Sequence, residues 1–474
     1  MDSELDQRNR LANPVAFDME YSIEMPGQVE SETVPIDILD RNSYASEVTF
    51  RNDIMKIMKE YKMYLEQAKE FQLGYPINHA EESDVFNALH TVQDYYINNV
   101  GDPNVSMPFG SHSHRFEMGV LRWFRDLWGL EAGQLHGYVT TGGSESNIQA
   151  LFVARETYPD AIVYITKEAH FSVYKACHLL RIETVVIDSD DRGEMDYVHF
   201  ENELHENYGR KAIVCLTIGT TMKGAIDVPQ NAIKCLHRAG YNTGDDVFIH
   251  LDAALSGIFI PLLDSAPSMS FKDHPEISSI SVSGHKFLGS PIPCGVLLMR
   301  KKYVENIGDN VEYIFCKDVT LTCSRNGHAA LYLWLLLSQL GKKQVKQDAE
   351  RCIRYAQEVQ SRLSSGGIES WINPWSITVV AKKPNISFVK HWQLAVQGDY
   401  CHIVVMPHMK RETLQFFVDS FISSQNASGI RSDTPDSDSH SREMKMMAMQ
   451  MKQCITCAPS NETSQHGCNH GLSS

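Results

Sequence analysis

Lys286 stands in the run Ser283-Gly284-His285-Lys286, and upstream of it lies His250-Leu251-Asp252-Ala253-Ala254. Together they offer a lysine amine beside an imidazole, and a carboxylate followed two residues later by a small side chain. A lysine amine can form a Schiff base with an aldehyde. A carboxylate can keep a pyridine nitrogen protonated, so that the ring accepts electrons from a carbanion.

These groups must be positioned by the elements around them. Residues 247–255 (VFIHLDAAL) read as a buried strand, apolar and partly β-branched. Side chains two apart on a strand share a face, so the pattern predicts that Asp252 and Ala254 point the same way. Residues 277–283 read as the next strand, ended by Gly284 just before the lysine. Further upstream, Thr141-Gly142-Gly143-Ser144-Glu145-Ser146-Asn147 leads from a short strand into a helix with Ile148, Leu151 and Phe152 on its apolar face. A helix start with exposed backbone N–H groups and hydroxyls is a ready anion site and would suit a phosphate. His170 follows the apolar strand 161–166 and could stack on one face of a flat ring, with Ala254 on the other. Each segment alone reads as ordinary structure: a paired aspartate, a surface lysine, a turn, a satisfied histidine. In this order they point to pyridoxal 5'-phosphate (PLP).

With these residues in place, the chain resembles the group II PLP-dependent amino-acid decarboxylases and is most similar to their plant serine decarboxylase and histidine decarboxylase-like branch. The matching runs are GYPIN at 74–78, TGGSESN at 141–147, HFSVYKA at 170–176, GEMDY at 193–197 and LTIGTTMKGAID at 216–227. They continue with HLDAALSG at 250–257, SVSGHKFLGSPIPCGV at 281–296, SRNGHA at 324–329 and HWQLAVQGD at 391–399. The resemblance implies an α/β chain with the fold type I PLP-dependent transferase (aspartate aminotransferase-like) architecture. It implies Lys286 as Schiff-base lysine, His170 as ring-stacking residue, Asp252 as partner of the pyridine nitrogen and Ala254 as the opposing wall. Gly143, Ser144, Ser283 and His285 resemble phosphate contacts, and His170 and Asn78 are expected near the substrate. Two departures stand out: His79 follows GYPIN where an apolar residue is expected, and Thr322-Cys323 precedes Ser324 where Ser-Gly is expected.

At 474 residues the chain can bury a large core, and its formal net charge of -16 argues against general nucleic-acid binding. No run of eighteen apolar residues is present, so no membrane span is expected. The acidic start MDSELDQRNR lacks an apolar segment of the secretory kind, and a cytoplasmic enzyme is expected. Eleven cysteines, an odd number, read as free thiols, with Cys177, Cys215 and Cys235 in apolar contexts. Cys294 follows Pro291 and Pro293 and reads as a backbone feature of the turn.

Along the chain, residues 1–45 read as a flexible arm and 46–103 as a helical segment, with Ile54, Ile57, Met58, Tyr61 and Leu65 on one stripe. Residues 104–302 alternate short apolar strands with helices, the pattern of a mainly parallel central sheet, and form the expected PLP-binding domain. Residues 303–427 read as a smaller C-terminal α/β domain, and 428–474 as a disordered tail. That tail holds MKMMAMQMK at 444–452, and Cys454, Cys457, Cys468 and His470 at loose metal-ligand spacing. His112 and His114 lack acidic or thiol partners at metal-ligand spacing and read as structural or pocket-lining residues, and no metal is expected at either place.

The implied reaction is decarboxylation of a free L-amino acid. L-serine, giving ethanolamine, is the first expectation and L-histidine, giving histamine, the second. An aldehyde synthase that adds oxidative deamination, and a non-catalytic protein that keeps the fold, are the other readings. The resemblance also implies a homodimer or higher homo-oligomer, with the SRNG loop at 324–327 reaching the neighbouring site.

Overall fold

The computed structural model describes residues 38–79, 87–105, 109–305, 307–314 and 316–428. Most of the expected N-terminal arm, the expected tail, the 444–452 run and the tail's Cys454, Cys457, Cys468 and His470 lie outside the described residues.

Helix α1 (Glu47–Glu70) opens at Ser46, whose hydroxyl accepts from the Thr49 N–H at 3.2 Å, an N-cap that satisfies one orphan donor. None of its residues is buried. Helix α2 (His114–Trp128) follows. The central sheet then forms from β1 (Leu135–Thr140), β2 (Ile162–Thr166), β3 (Thr184–Ile187), β4 (Ala212–Thr217), β5 (Val247–Asp252), β6 (Ile277–Ser283) and β7 (Gly295–Arg300). Their spatial order is β1-β7-β6-β5-β4-β2-β3. β7 runs antiparallel to β1 and β6, and the other neighbours pair in parallel.

Both faces of this sheet are covered, as parallel pairing requires. Alternate residues of one strand enter opposite core layers: Ile162 and Tyr164 of β2 lie in one, Val163 and Ile165 in the other. The crossovers are α3 (Gly143–Thr157), α4 (Phe171–Leu180), α5 (Tyr197–Glu206) and α6 (Pro229–Arg238). β1, β2, β4, β5 and β6 all end at the same edge of the sheet. Loops beyond the carboxyl ends of such strands are where open α/β sheets bind ligands.

After β7 the chain leaves the sheet for a short hairpin, β8 (Asp309–Val311) and β9 (Cys316–Asp318). The long helix α7 (Gly327–Ser365) follows, interrupted at Gly341, where φ is +59°. A four-stranded antiparallel sheet follows in the order β10-β11-β13-β12: β10 (Ser370–Ile372), β11 (Thr378–Lys382), β12 (Ala395–Gln397) and β13 (Tyr400–Val404). Helices α8 (Ile386–His391) and α9 (Arg411–Ser428) accompany it. Val359 and Leu363 of α7 join Val379 and Ile403 of this sheet in one core.

One expectation is corrected. The strand through Asp252 stops at that residue rather than running on to Leu255, so Ala254 lies in a turn. The turn closes because the Asp252 carboxylate accepts the Ala254 N–H at 3.2 Å, a side-chain bond that competes with the strand ladder.

A buried ion pair ties the SRNG loop to this chain's own sheet. Glu117 of α2, fully buried, pairs with Arg325, which is 4 % exposed. Glu117 also accepts the Val139 N–H of β1 and the Asn99 amide, each at 2.7 Å. Arg325 in turn donates to the carbonyls of Gly101 and Val139. Removing one partner of a buried pair leaves an uncompensated charge. Glu117→Ala should therefore lower unfolding stability by about 3–5 kcal/mol, measured by urea denaturation of wild type and variant.

Candidate active site

At the end of β1, Thr140 leads into Thr141-Gly142, and α3 begins at Gly143. Gly142 has φ +155° and ψ 175°, a backbone that side chains rarely allow. A Cβ on Gly143 would stand 2.8 Å from Ser283 Oγ and 3.4 Å from Ala254 Cβ. The two glycines thus keep open a concave wall between the ends of β1, β5 and β6. First-turn N–H groups of α3 and the positive end of its dipole favour an anion there. Glu145 stiffens the turn from behind. It accepts the Thr141 N–H at 2.7 Å, the Tyr138 hydroxyl at 3.2 Å and the Thr322 hydroxyl at 3.3 Å. Thr322, part of the departure at 322–323, therefore packs on the helix that begins at Gly143.

The second wall comes from the segment after β6. Gly284 is obligatory, because a Cβ there would come within 2.5 Å of Leu333 and 2.8 Å of Cys294 Sγ. Its N–H reaches the Cys294 carbonyl at 2.8 Å, and the Cys294 N–H donates to His285 Nδ1 at 3.2 Å. Cys294 is thus a backbone clamp on the turn that carries the lysine. Burial pushes its thiol up to about 12, which suits no nucleophile at neutral pH. His285 is held below the ordinary histidine range by burial, with Lys286 adding to the effect.

Lys286 follows. Burial holds its amine below the usual lysine range, opposed by the attraction of Asp252. Among the described residues it has no hydrogen-bond or ion-pair partner. Asp252, 3 % exposed, closes β5. Its Oδ2 accepts from Asn147 Nδ2 at 2.7 Å. His170 caps α4, with its Nδ1 accepting the Ser172 N–H at 3.3 Å and facing Ser172 Oγ at 2.7 Å. Burial lowers its pKa, with Asp252 opposing and Lys286 reinforcing that shift. Both groups are therefore near the imidazole, and a neutral ring is the favoured form.

The structure thus gathers Gly143, Ser144, His170, Asp252, Ala254, Ser283, His285 and Lys286 at one sheet edge. Asn78 is placed beside them by the backbone: its Nδ2 donates to the Phe287 carbonyl at 2.8 Å, and its Oδ1 accepts the His408 N–H at 3.2 Å. The unexpected His79 meets His408 edge to face, with ring centres 4.9 Å apart. His112 and His114 lie 4.6 Å apart, and burial lowers His114 to about 4. Among the described residues no cluster of ligating side chains could hold a metal.

Sequence reasoning passed over Asn147, Ser172, His250 and His402. Asn147 carried a usable signal, since it lies one helical turn beyond Gly143 and so shares the cradle's face. His402 carried none. It lies on β13, and its ring faces the carbonyls of Met222 and Gly74 at 3.1 and 2.8 Å.

The arrangement fits a planar phosphorylated aldehyde: an unpaired amine, a buried carboxylate, an imidazole and a glycine-lined anion cradle. Residues 50–381 match the model of the pyridoxal-dependent decarboxylase conserved domain. The chain belongs to that family. It is an amino-acid decarboxylase that uses PLP. It is 40 % identical to serine decarboxylase 1 of Oryza sativa subsp. japonica, over 76 % of this chain and 74 % of that one. Identity to a histidine decarboxylase of Solanum lycopersicum is 37 %, over 80 % and 91 % of the two chains. The solved L-methionine decarboxylase of Streptomyces sp. 590 superposes with a TM-score of 0.72 at 22 % identity, covering 82 % of this chain and 98 % of the other. The central sheet and the smaller antiparallel sheet are those of the fold type I decarboxylases.

Two outcomes are expected at this site. Gly143→Val should fill the cradle and raise the dissociation constant for PLP about tenfold or more, the scale of one lost charge-assisted hydrogen bond. Quenching of intrinsic fluorescence in the cofactor-free protein measures it. Lys286→Met should stabilise the cofactor-free protein. The folded-state pKa of Lys286 lies below its unfolded value of ~10.4, so folding at lower pH buries a charge or gives up a proton. The gain of the variant over wild type should be largest well below that value and vanish as pH rises towards it. Paired thermal melts across that range check the sign.

Proposed function

We propose that this enzyme removes the carboxylate of free L-serine, giving ethanolamine and CO2. The single observation that carries the reading is the site's own set, Asp252 at the end of β5 and Lys286 three residues beyond the end of β6, with Ala254 and Ser283 packed at the Gly143 turn. The choice of serine is supported by the 40 % identity to a rice serine decarboxylase, against 37 % to the tomato histidine decarboxylase.

In this reading Lys286 would hold the cofactor through its aldehyde, Asp252 would serve the ring nitrogen, and His170 and Ala254 would line the ring. Gly143, Ser144, Ser283 and His285 would hold the phosphate. Bound there, PLP supplies a sink for the electron pair left when the Cα–carboxylate bond breaks. The protein does the rest. Asp252 presents a fixed negative charge in a dry site, where such a charge acts strongly. His170 can lie against a ring without adding a second cation, because burial keeps it neutral. The lowered pKa of Lys286 leaves more of its amine uncharged and able to accept a proton. Asn78 pins the segment before the site to the residue after Lys286 and so sets the space left for the substrate side chain.

The enzyme acts as a homodimer. Helix α1 supports this, with Met55, Met58, Tyr61 and Leu65 all exposed on a helix that buries nothing in its own chain. The SRNG loop contributes to the partner's site through the exposed Ser324 and the exposed Cys323 just before it, since Arg325 is committed inward. Buried free thiols at Cys177, Cys215, Cys235, Cys352 and Cys401 suit the reducing cytoplasm. No helix among the described residues is long and apolar enough to cross a membrane.

The test is a competition assay with PLP, L-serine and L-histidine at equal concentration, reading ethanolamine and histamine. Ethanolamine should dominate. Dominant histamine would overturn the serine reading and leave decarboxylation standing, whereas aldehyde with ammonia would replace both by an aldehyde synthase. Lys286→Ala should abolish all products.

A further inference from the structure

Asn147 lies on α3, is 1 % exposed, and uses its full hydrogen-bonding capacity. Its Nδ2 donates to Asp252 Oδ2 at 2.7 Å and to Ser172 Oγ at 3.1 Å. Its Oδ1 accepts from His250 Nε2 at 3.0 Å and from Ser281 Oγ at 3.2 Å. One carboxamide therefore joins α3, α4, β5 and β6.

The direction of every bond is determined. A carboxylate only accepts, so the nitrogen of the amide must face Asp252. The oxygen then faces His250, whose Nε2 must carry the proton. Full burial holds His250 down at about 4, so the ring is neutral and its Nδ1 is an acceptor. Ser279 Oγ, 2.8 Å away, donates to it. On the other branch Ser172 receives from Asn147 and donates to His170 Nδ1 at 2.7 Å. The His170 proton is left on Nε2. Donors thus run one way, from Ser279 through His250 and Asn147, then out to Asp252 and, through Ser172, to His170.

We infer that Asn147 is a positioning residue for the decarboxylation, orienting the Asp252 carboxylate and setting the His170 tautomer through one amide. The inference rests on the roles proposed for Asp252 and His170. Turning the amide over would place oxygen against the Asp252 oxygen and an N–H against the His250 N–H. Both contacts are repulsive, and no water is needed to complete the network. Asp252, His250 and, through Ser172, His170 are the titratable groups facing position 147. Cys215 on β4 and Lys286 interact with Asp252 in turn.

Asn147→Asp and Asn147→Ala separate orientation from mere packing, because aspartate keeps the shape of asparagine and loses the donor. Each should fold cooperatively in thermal melts. Asn147→Ala should lower kcat about a hundredfold, as loss of a preorganising donor does. It should also weaken PLP binding to the cofactor-free protein about tenfold or more. Asn147→Asp should be worse at pH 8, with two carboxylates in contact, and should recover as pH falls and a shared proton restores a donor. The visible absorption of bound cofactor should titrate differently in both variants. Wild-type kcat in Asn147→Asp, or equal and pH-independent losses in the two variants with unchanged PLP affinity and absorption, would overturn the inference. Ser281→Ala is the milder companion: it frees one side of the amide and should give a smaller kcat loss with the same direction of spectral change. Wild-type affinity, absorption and kcat in Ser281→Ala would also count against it. Asp252→Asn serves as the reference. If it keeps full activity, the Asp252 reading itself fails. If it is inactive while Asn147→Asp behaves as wild type, only the role of Asn147 fails.

Discussion

A carboxylate taken out of water must be met by donors, and in this protein the site is arranged around that requirement at Asp252. β5 delivers the residue at its last position, nearly fully buried. From there α3 must approach closely enough for Asn147 to reach it, and that approach depends on a helix starting with glycine beside β5 and β6. The anion cradle and the partner of Asp252 therefore come from the same turn and a half of one helix. Moving either would move the other.

A second buried charge does similar work behind the cradle. Glu117 accepts from the backbone of β1 just before Thr140 and pairs with Arg325. The SRNG loop is thereby tied to the strand that leads into the Gly142-Gly143 turn. Tyr138 adds to this link, since its ring lies under Arg325 and its hydroxyl reaches Glu145 of α3. Two buried carboxylates, one facing the reactive edge and one facing away from it, thus brace opposite ends of the same short segment. Breaking a buried pair costs more than its net contribution to stability, so such a node resists drift.

The amine works in the opposite sense. Lys286 is carried on a turn whose backbone is clamped by Cys294, but its own side chain has no partner among the described residues. A buried lysine whose amine makes no hydrogen bond is a poor structural element and is suited to reaction. Asp252 and His170, by contrast, are met by amide, hydroxyl and backbone donors.

Much of this could be read from the chain before its structure. Apolar runs through Asp252 and up to Ser283, the double glycine before a helical pattern, and a lysine after a strand-breaking glycine pointed to the sheet, the cofactor and a candidate Schiff-base amine. Those signals are local, because strand period, glycine freedom and residue chemistry act over a few neighbours. The strand end at Asp252 was misjudged by that same local logic: apolar residues continue to Leu255, yet a side-chain bond from Asp252 turns the backbone. What only the tertiary structure decided are bonds between distant segments. Asn147 meets His250 and Ser281, Glu117 meets Arg325, Asn78 meets Phe287 and His408, and His402 meets Gly74 and Met222. Each depends on burial and on the direction of a donor, and neither is encoded in spacing along one strand or helix.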